Sequence, residues 1–365
     1  MKILHILNTP RAEGTPNIVL DWLATGLHKQ EVYVLHAEPA DLSDKLRNTA
    51  AWYGESMVFH FGISKFILIA LNTWRVCRAR NPDVIICWPT GFANWICWGA
   101  KLAGVKNLLV HAGNPAGRGF KKDWITRYVM WPLFATRAQV ICCSEYVRKT
   151  LIEVPGMLNS RFHAIANCSR SEETARRAQI KQNQSRSDSK TTGIMVATLE
   201  SHKDHETLLR AVPKVLEQVQ NFNLNLVGDG SLRPALDRLT DELNIRHAVN
   251  FLGSRLDVPE LLGQSDCFIF STTNEEGLGS VLIEALAVGL PIVASNVPAC
   301  REMLDNGKWG TLVEAGNHVA LAEQIIKTLN DGPLEDSIMK RDRRKYASQF
   351  SAEKMINLYL EQIPT

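Results

Sequence analysis

Short apolar runs alternate with helical patterns along nearly the whole chain, and the alternation runs twice. No other feature restricts the fold as much. In the first half, residues 2–7, 31–36, 56–61, 83–87, 107–111 and 139–144 read as strands, and residues 17–29, 64–80, 94–103 and 123–135 as helices. The strand segments are rich in Val and Ile without strict polar alternation, as parallel strands buried on both faces should be. Strands alternating with helices predict a doubly wound α/β sheet, whose ligands bind beyond the carboxyl ends of the strands. Residues 169–190 are then polar, with Ile180 their one large apolar residue, and read as an exposed interdomain connection. The pattern restarts with strands at 193–198, 222–227, 249–252, 267–271, 291–295 and 311–313 and helices at 204–219 and 233–243. The organisation expected is a domain at 1–168, a polar linker at 169–190, a second domain at 191–332, and C-terminal helices within 333–365. Those helices, at 335–350 and 352–362, are expected to pack near the cleft between the domains or back on the first one.

A chain of 365 residues suits two domains of this kind. With 45% hydrophobic and 22% charged residues it reads as soluble and globular, and a net charge of +3 is too small to suggest nucleic-acid binding. The start, Met1 to Asn8, turns polar too quickly for a secretion signal, and no run approaches the roughly 20 apolar residues of a membrane span. The eight cysteines contain no C-x-x-C pair and sit in apolar patterns, so reduced core thiols and a cytoplasmic setting are expected.

Residues 275–291 carry the densest chemistry. Glu275-Glu276-Gly277-Leu278-Gly279-Ser280 forms a glycine-punctuated turn, and 280–288 is a strong helix former closed by Gly289 and Pro291. A helix N-terminus presents unpaired N–H groups and partial positive charge, so this turn can hold an anion. Helical side chains lean toward the N-terminus, which lets Glu284 reach back toward the loop bearing Glu276. Val227-Gly228-Asp229-Gly230 follows a strand and opens a helix, as in a close backbone approach to a ligand or in any tight βα turn. Lys203 places an ammonium just before a helix. His111 ends a strand, facing the usual ligand crevice of such a sheet. His202 and His205 flank Lys203 without the spacing of a metal site. Arg118, Lys121, Lys122 and Arg127 lie beside Phe120, Trp124, Trp131 and Phe134, a pattern that fits either an anionic membrane surface or an amphipathic helix packed on its own domain. Trp88, Trp95 and Trp98 around Phe92 suit a core or an acceptor groove.

Taken in order, these motifs resemble the family 4 retaining glycosyltransferases, from residue 194 to about 326. That resemblance implies the GT-B fold, two Rossmann-like doubly wound parallel-sheet domains facing across a cleft. Glu276 and Glu284 match the family's two glutamates separated by seven residues, the first implied to lie by the donor sugar and the second to bind the nucleotide ribose. Gly277-Leu278-Gly279, with Ser280, matches the turn whose amides approach sugar and diphosphate, and Lys203 matches the diphosphate-binding lysine. Gly228, Gly230 and the segment Phe251-Leu252-Gly253-Ser254-Arg255 match the nucleotide pocket. In the looser first half, His111 is implied to lie near the transferred sugar, Ile141-Cys142-Cys143-Ser144-Glu145-Tyr146-Val147 resembles a strand–Ser–helix segment, and Gly14 stands for a glycine pair that borders the diphosphate. Thr198 replaces an arginine, Asn167-Cys168-Ser169-Arg170 departs from the hinge motif, and Gly14 follows Glu13 instead of a second glycine; Arg255 or Arg11 could compensate. The resemblance implies transfer of a hexose-type sugar from a nucleotide diphosphate to a saccharide or lipid-linked acceptor at the inner membrane face, as in bacterial surface polysaccharide synthesis. No Asp-x-Asp motif follows a strand in the expected manner, so a metal-independent enzyme with no cofactor is expected. The alternatives are a nucleotide-sugar epimerase and a silent nucleotide-sugar-binding subunit. A two-carboxylate hydrolase has no diphosphate to hold, and the absence of G-x-G-x-x-G after either first strand disfavours a dehydrogenase.

Overall fold

The computed structural model describes residues 1–11, 14–37, 42–56, 64–117, 120–182, 190–331 and 337–364. The chain divides into two compact units, Met1–Cys168 with Ala352–Thr365, and Ser169–Ser351. Each is built on its own parallel sheet.

In the first unit the strands are β1 (Lys2–Leu7), β2 (Lys29–Val34), β3 (Trp52–Glu55), β4 (Val84–Cys87), β5 (Asn107–Ala112), β6 (Gln139–Cys142) and β7 (Phe162–Ala164). The helices are α1 (Gly14–Ala24), α2 (Ser43–Thr49), α3 (Ser64–Arg80), α4 (Ala93–Leu102), α5 (Phe120–Thr136) and α6 (Glu145–Ile152). The sheet order is β3-β2-β1-β4-β5-β6-β7, every pair parallel. Strands such as Val84–Cys87 and Gln139–Cys142 are buried along their whole length, which is why they carry continuous apolar sequence. The strand expected at 56–61 instead forms earlier, as β3, and residues 57–63 lie outside the described residues. The short β7 and the helix α2 have no distinct apolar period and were not expected.

The second unit contains α7 (Ser171–Gln182), β8 (Thr191–Val196), α8 (His205–Gln218), β9 (Phe222–Val227), α9 (Arg233–Glu242), β10 (Val249–Gly253) and α10 (Val258–Gly263). It continues through β11 (Cys267–Phe270), α11 (Val281–Val288), β12 (Ile292–Ser295), α12 (Pro298–Met303), β13 (Thr311–Val313), α13 (His318–Asp331) and α14 (Ser337–Ala347). Its strand order is β10-β9-β8-β11-β12-β13, again all parallel.

The polar stretch read as a connection corrects the sequence reading. Residues 171–182 form α7, which packs on α10 and α11, while 183–189 lie outside the described residues. Its buried face is made of Ser171, Thr174 and Ala178, small residues at helical spacing that give almost no hydropathy signal. They permit close approach: a Cβ on Gly263 of α10 would lie 2.5 Å from the Ala178 carbonyl oxygen. Arg177 then donates two hydrogen bonds to the Glu260 carboxylate, at 2.8 and 2.7 Å. The C-terminal helices separate. The first, α14, packs on α11 within the second unit, whereas α15 (Ala352–Glu361) packs on α1 within the first. There Met355, Ile356 and Tyr359 join Trp22, Leu23 and Trp88 in one core.

All eight cysteines are buried free thiols. Among the described residues no helix is long and apolar enough to cross a membrane, and no cluster of His, Cys, Asp and Glu could hold a metal ion.

Candidate active site

The second sheet reverses its strand order between β8 and β11, and the loops leaving such a pair open a crevice at their carboxyl ends. Lys203 lies in the loop after β8, and Glu276 in the loop after β11. The first loop closes as a 3₁₀ turn at Ser201–Lys203, and Asp204 follows in the left-handed region (φ +39°), its side chain accepting the Thr207 amide at the start of α8. Thr272 ties the loops together by donating its hydroxyl to the His202 carbonyl at 2.8 Å.

Lys203 Nζ donates to Glu276 Oε2, and lies 5.4 Å from the centroid of the Phe270 ring. The other oxygen, Oε1, accepts the amides of Gly277 at 3.2 Å and Gly279 at 3.1 Å. The amides of the glycine turn thus donate to the carboxylate of the turn's own Glu276. Burial of Glu276 would raise its carboxyl, but the charge and hydrogen bond of Lys203 and the Gly279 amide outweigh it and hold the group below the usual range. Leu278 is buried beneath the turn, and Ser280 stands at the N-terminus of α11. Gly279 sits at φ +73°, and a Cβ there would lie 3.0 Å from the Phe270 ring.

Glu284, in the first turn of α11, behaves differently. It keeps some solvent exposure, yet desolvation pushes its carboxyl up to about 7, with the nearby Arg170 charge opposing. It has no hydrogen-bond partner among the described residues. Arg170 comes from the segment read as a linker, so its nearness to Glu284 had no local signal.

The remaining expected residues are placed as follows. Gly228 (φ +133°) and Gly230 are required by chain packing, since a Cβ would lie 2.0 Å from the Ala197 carbonyl oxygen and 2.5 Å from that of Leu199, respectively. Glu200 accepts the amide and hydroxyl of Ser231 at 2.9 and 2.7 Å, which holds this turn beside the loop after β8. Arg255 is exposed and makes two hydrogen bonds to Asp257, at 2.7 and 2.6 Å. In the first unit, Gly14 begins α1 and is exposed, with open space where a Cβ would be.

His111, on β5 in the first unit, is buried. Its Nδ1 is 2.9 Å from the Tyr359 hydroxyl, and its ring lies 5.0 Å from that of Trp88. Burial lowers its pKa to about 4, so the ring is neutral at neutral pH. Tyr359 lies 248 residues away in sequence, and only the return of α15 to the first sheet brings it there.

Residues 176–347 match the family described as Glycosyl transferases group 1. N-acetyl-alpha-D-glucosaminyl L-malate synthase of Bacillus anthracis is 32% identical over 181 residues, covering 50% of this chain and 47% of that protein. The chain thus spans about half the length of that curated relative. Lipopolysaccharide core biosynthesis glycosyltransferase LpsD of Rhizobium meliloti is 27% identical over 372 residues, covering 99% of this chain and 97% of that one. The fold is shared with HepE of Anabaena, solved with UDP and glucose, at a TM-score of 0.83 and 19% identity over 99% of this chain and 98% of that one. The two parallel-sheet units are those of the GT-B fold. Just under half of the chain, residues 176–347, thus matches the group 1 glycosyltransferases, a family of enzymes, and that segment contains Lys203, Glu276 and Glu284.

Proposed function

We propose that the chain is a retaining, family 4 type glycosyltransferase that moves a hexose-type sugar from a nucleotide diphosphate to a hydroxyl on a lipid-linked saccharide. The observation that carries this reading is the meeting of Lys203, Glu276 and the Gly277 and Gly279 amides at the β8–β11 reversal. Diphosphate is a better partner for an ammonium and a pair of amides than a carboxylate is, since it offers more charge and more acceptor oxygens. In this reading the donor takes Lys203 and the amides, and Glu276 turns to the sugar hydroxyls. Glu284 accepts hydrogen bonds from the ribose, a role for which it is suited because its carboxyl has no hydrogen-bond partner among the described residues. His111 holds a sugar hydroxyl as a neutral imidazole.

The bond from the anomeric carbon to the diphosphate oxygen breaks as the acceptor oxygen bonds to that carbon on the same face. The acceptor's proton passes to the leaving diphosphate. Negative charge builds on the leaving group, and Lys203 with the amides offsets it, which supports a reaction without a metal. The LpsD name, lipopolysaccharide core biosynthesis, supports a saccharide acceptor carried on lipid, and the UDP and glucose bound to HepE support a uridine diphosphate hexose as donor.

Thermal melting of the purified chain with UDP-, GDP- and ADP-sugars is the first test, since a bound donor stabilises the folded state by mass action. One donor class should raise Tm, and the same donor should be consumed when an acceptor is added. Failure of every donor to raise Tm would remove the reading, and interconversion of free nucleotide sugars without acceptor would make the chain an epimerase.

A further inference from the structure

In the first unit the strands advance in one direction from β3 through β4 and β5 to β6, whereas β1 to β3 run the other way. Right-handed crossovers therefore place α3, α4 and α5 together on one face of the sheet and α1 and α2 on the other. The three helices pack side by side. A Cβ on Gly99 of α4 would lie 2.3 Å from the Ala70 carbonyl oxygen of α3, and Lys101 of α4 donates to the Ala135 carbonyl near the end of α5. On the opposite face the apolar side of α1 is covered by α15.

We propose that the outer face of α3, α4 and α5 docks on the surface of an anionic phospholipid bilayer. On α3, Ile67, Leu71 and Trp74 are exposed at helical spacing, opposite the buried Ile69, Thr73 and Cys77. Trp98 and Leu102 form the corresponding stripe on α4. On α5, Trp124 and Trp131 are 60% and 68% exposed with Tyr128 between them, and the Trp124 and Tyr128 rings stack at 5.8 Å. The helices that carry these exposed apolar residues are neighbours on the same face of the sheet, and clustered apolar exposure of this kind marks interaction sites.

Charge decides the partner. The three helices contain four, one and three lysines and arginines, against one acidic residue, Asp123. Arg75, Arg78 and Arg127 are exposed beside the apolar stripes and have no ion-pair partner among the described residues. A second copy of this face would oppose cation to cation. An anionic bilayer supplies both complements, phosphate headgroups for the cations and an interfacial layer where Trp and Tyr rings partition. The surface is wider than residues 118–134 suggest from sequence, because α3 and α4 contribute to it; Arg118 and the side chains of Lys121 and Lys122 lie outside the described residues. The inference goes beyond the transferase reading and stands on these helices alone.

Flotation of the full chain with vesicles tests it. The chain should float with phosphatidylcholine vesicles that contain phosphatidylglycerol, remain behind with phosphatidylcholine alone, and lose binding as salt is raised. Trp124→Ser with Trp131→Ser, and separately Arg75→Glu with Arg127→Glu, should each weaken partition at least about tenfold with no change in Tm, the residues being exposed. Brominated acyl chains should quench the tryptophan fluorescence of the wild type, and quench it less in the double Trp variant, which keeps Trp74 and Trp98. Equal binding to both vesicle types, equal binding by the variants, or no binding at all would overturn the proposal. So would a dimer in sedimentation that the Trp variant abolishes, which would make the face a contact between copies. The Tm shift with a nucleotide sugar, measured on the same variants, reports separately on the donor site.

Discussion

Glu276 engages the ammonium of Lys203 through one carboxylate oxygen and the amides of Gly277 and Gly279 through the other. In the proposed reading both groups suited to a diphosphate are engaged by this internal anion, and an incoming donor would displace it. Glu276→Gln removes that competition. Its affinity for free nucleoside diphosphate should rise, by about tenfold for a state otherwise populated at a tenth. Sugar transfer should fall, because the sugar loses its carboxylate partner. Calorimetric titration with UDP and a transfer assay check both, and weaker UDP binding by the variant would show that Glu276 assists the diphosphate.

Removing the other partner has a different consequence. Lys203→Ala leaves Glu276 buried without its counter-ion, which costs about 3 kcal/mol in comparable buried pairs. The urea midpoint of the unliganded variant should drop accordingly. Lys203→Ala with Glu276→Gln should recover much of that loss without recovering transfer.

Glu284 sets a pH dependence. Its folded pKa is raised from 4.5 to about 7, so between these values the native state retains a proton that the unfolded chain has released. Stability contributed by the protonated group is complete below about pH 4.5 and lost as pH rises through 7. Relative to Glu284→Gln, the wild type should lose on the order of 2 kcal/mol between pH 4.5 and 8. In the proposed reading donor affinity should move the opposite way and increase through pH 7, since ribose hydroxyls would donate to the ionised carboxylate. A gap in urea midpoints that does not change with pH would contradict the first statement, and Glu284→Ala with wild-type donor affinity the second.

Tyr359→Phe isolates the support of His111. It leaves Nδ1 without its partner at 2.9 Å, which should cost about 1–2 kcal/mol. Because the folded pKa of His111 is lowered to about 4, the ring stays neutral across the neutral range. Its contribution to stability is present above pH 6.5 and lost as pH falls toward 4. The transfer rate should therefore show no step near pH 6.5 from this residue, and a step there that disappears in His111→Asn would contradict the neutral role.

The glycines separate steric need from ligand approach. Gly228→Ala forces a Cβ to within 2.0 Å of the Ala197 carbonyl at φ +133°, and should destabilise the second unit by more than 2 kcal/mol, roughly the upper range for a strained backbone position. Gly14→Ala meets nothing within 4 Å and should leave Tm unchanged. Any loss of transfer in Gly14→Ala would then not be a loss of folding.

Strand and helix alternation, the two-part division and the residues of the Glu276 turn were legible in the sequence because each depends on local pattern: apolar runs, glycine positions and helix-forming segments. The family resemblance likewise rested on motifs that follow one another in order along one stretch of chain, from 194 to about 326. Helix α7 was not legible, because Ser171, Thr174 and Ala178 bury small side chains that look polar or neutral in a line of sequence. Nor could sequence assign α15 to the first unit, where Tyr359 meets His111 across 248 residues. Tertiary structure alone decided that Glu276 fills its own amide turn, that Arg170 approaches Glu284, and that three helices pool their exposed tryptophans on one face. Local pattern sets which elements form, since periodicity and turn chemistry act over a few residues; which side chains meet is decided by the packing of elements far apart in the chain.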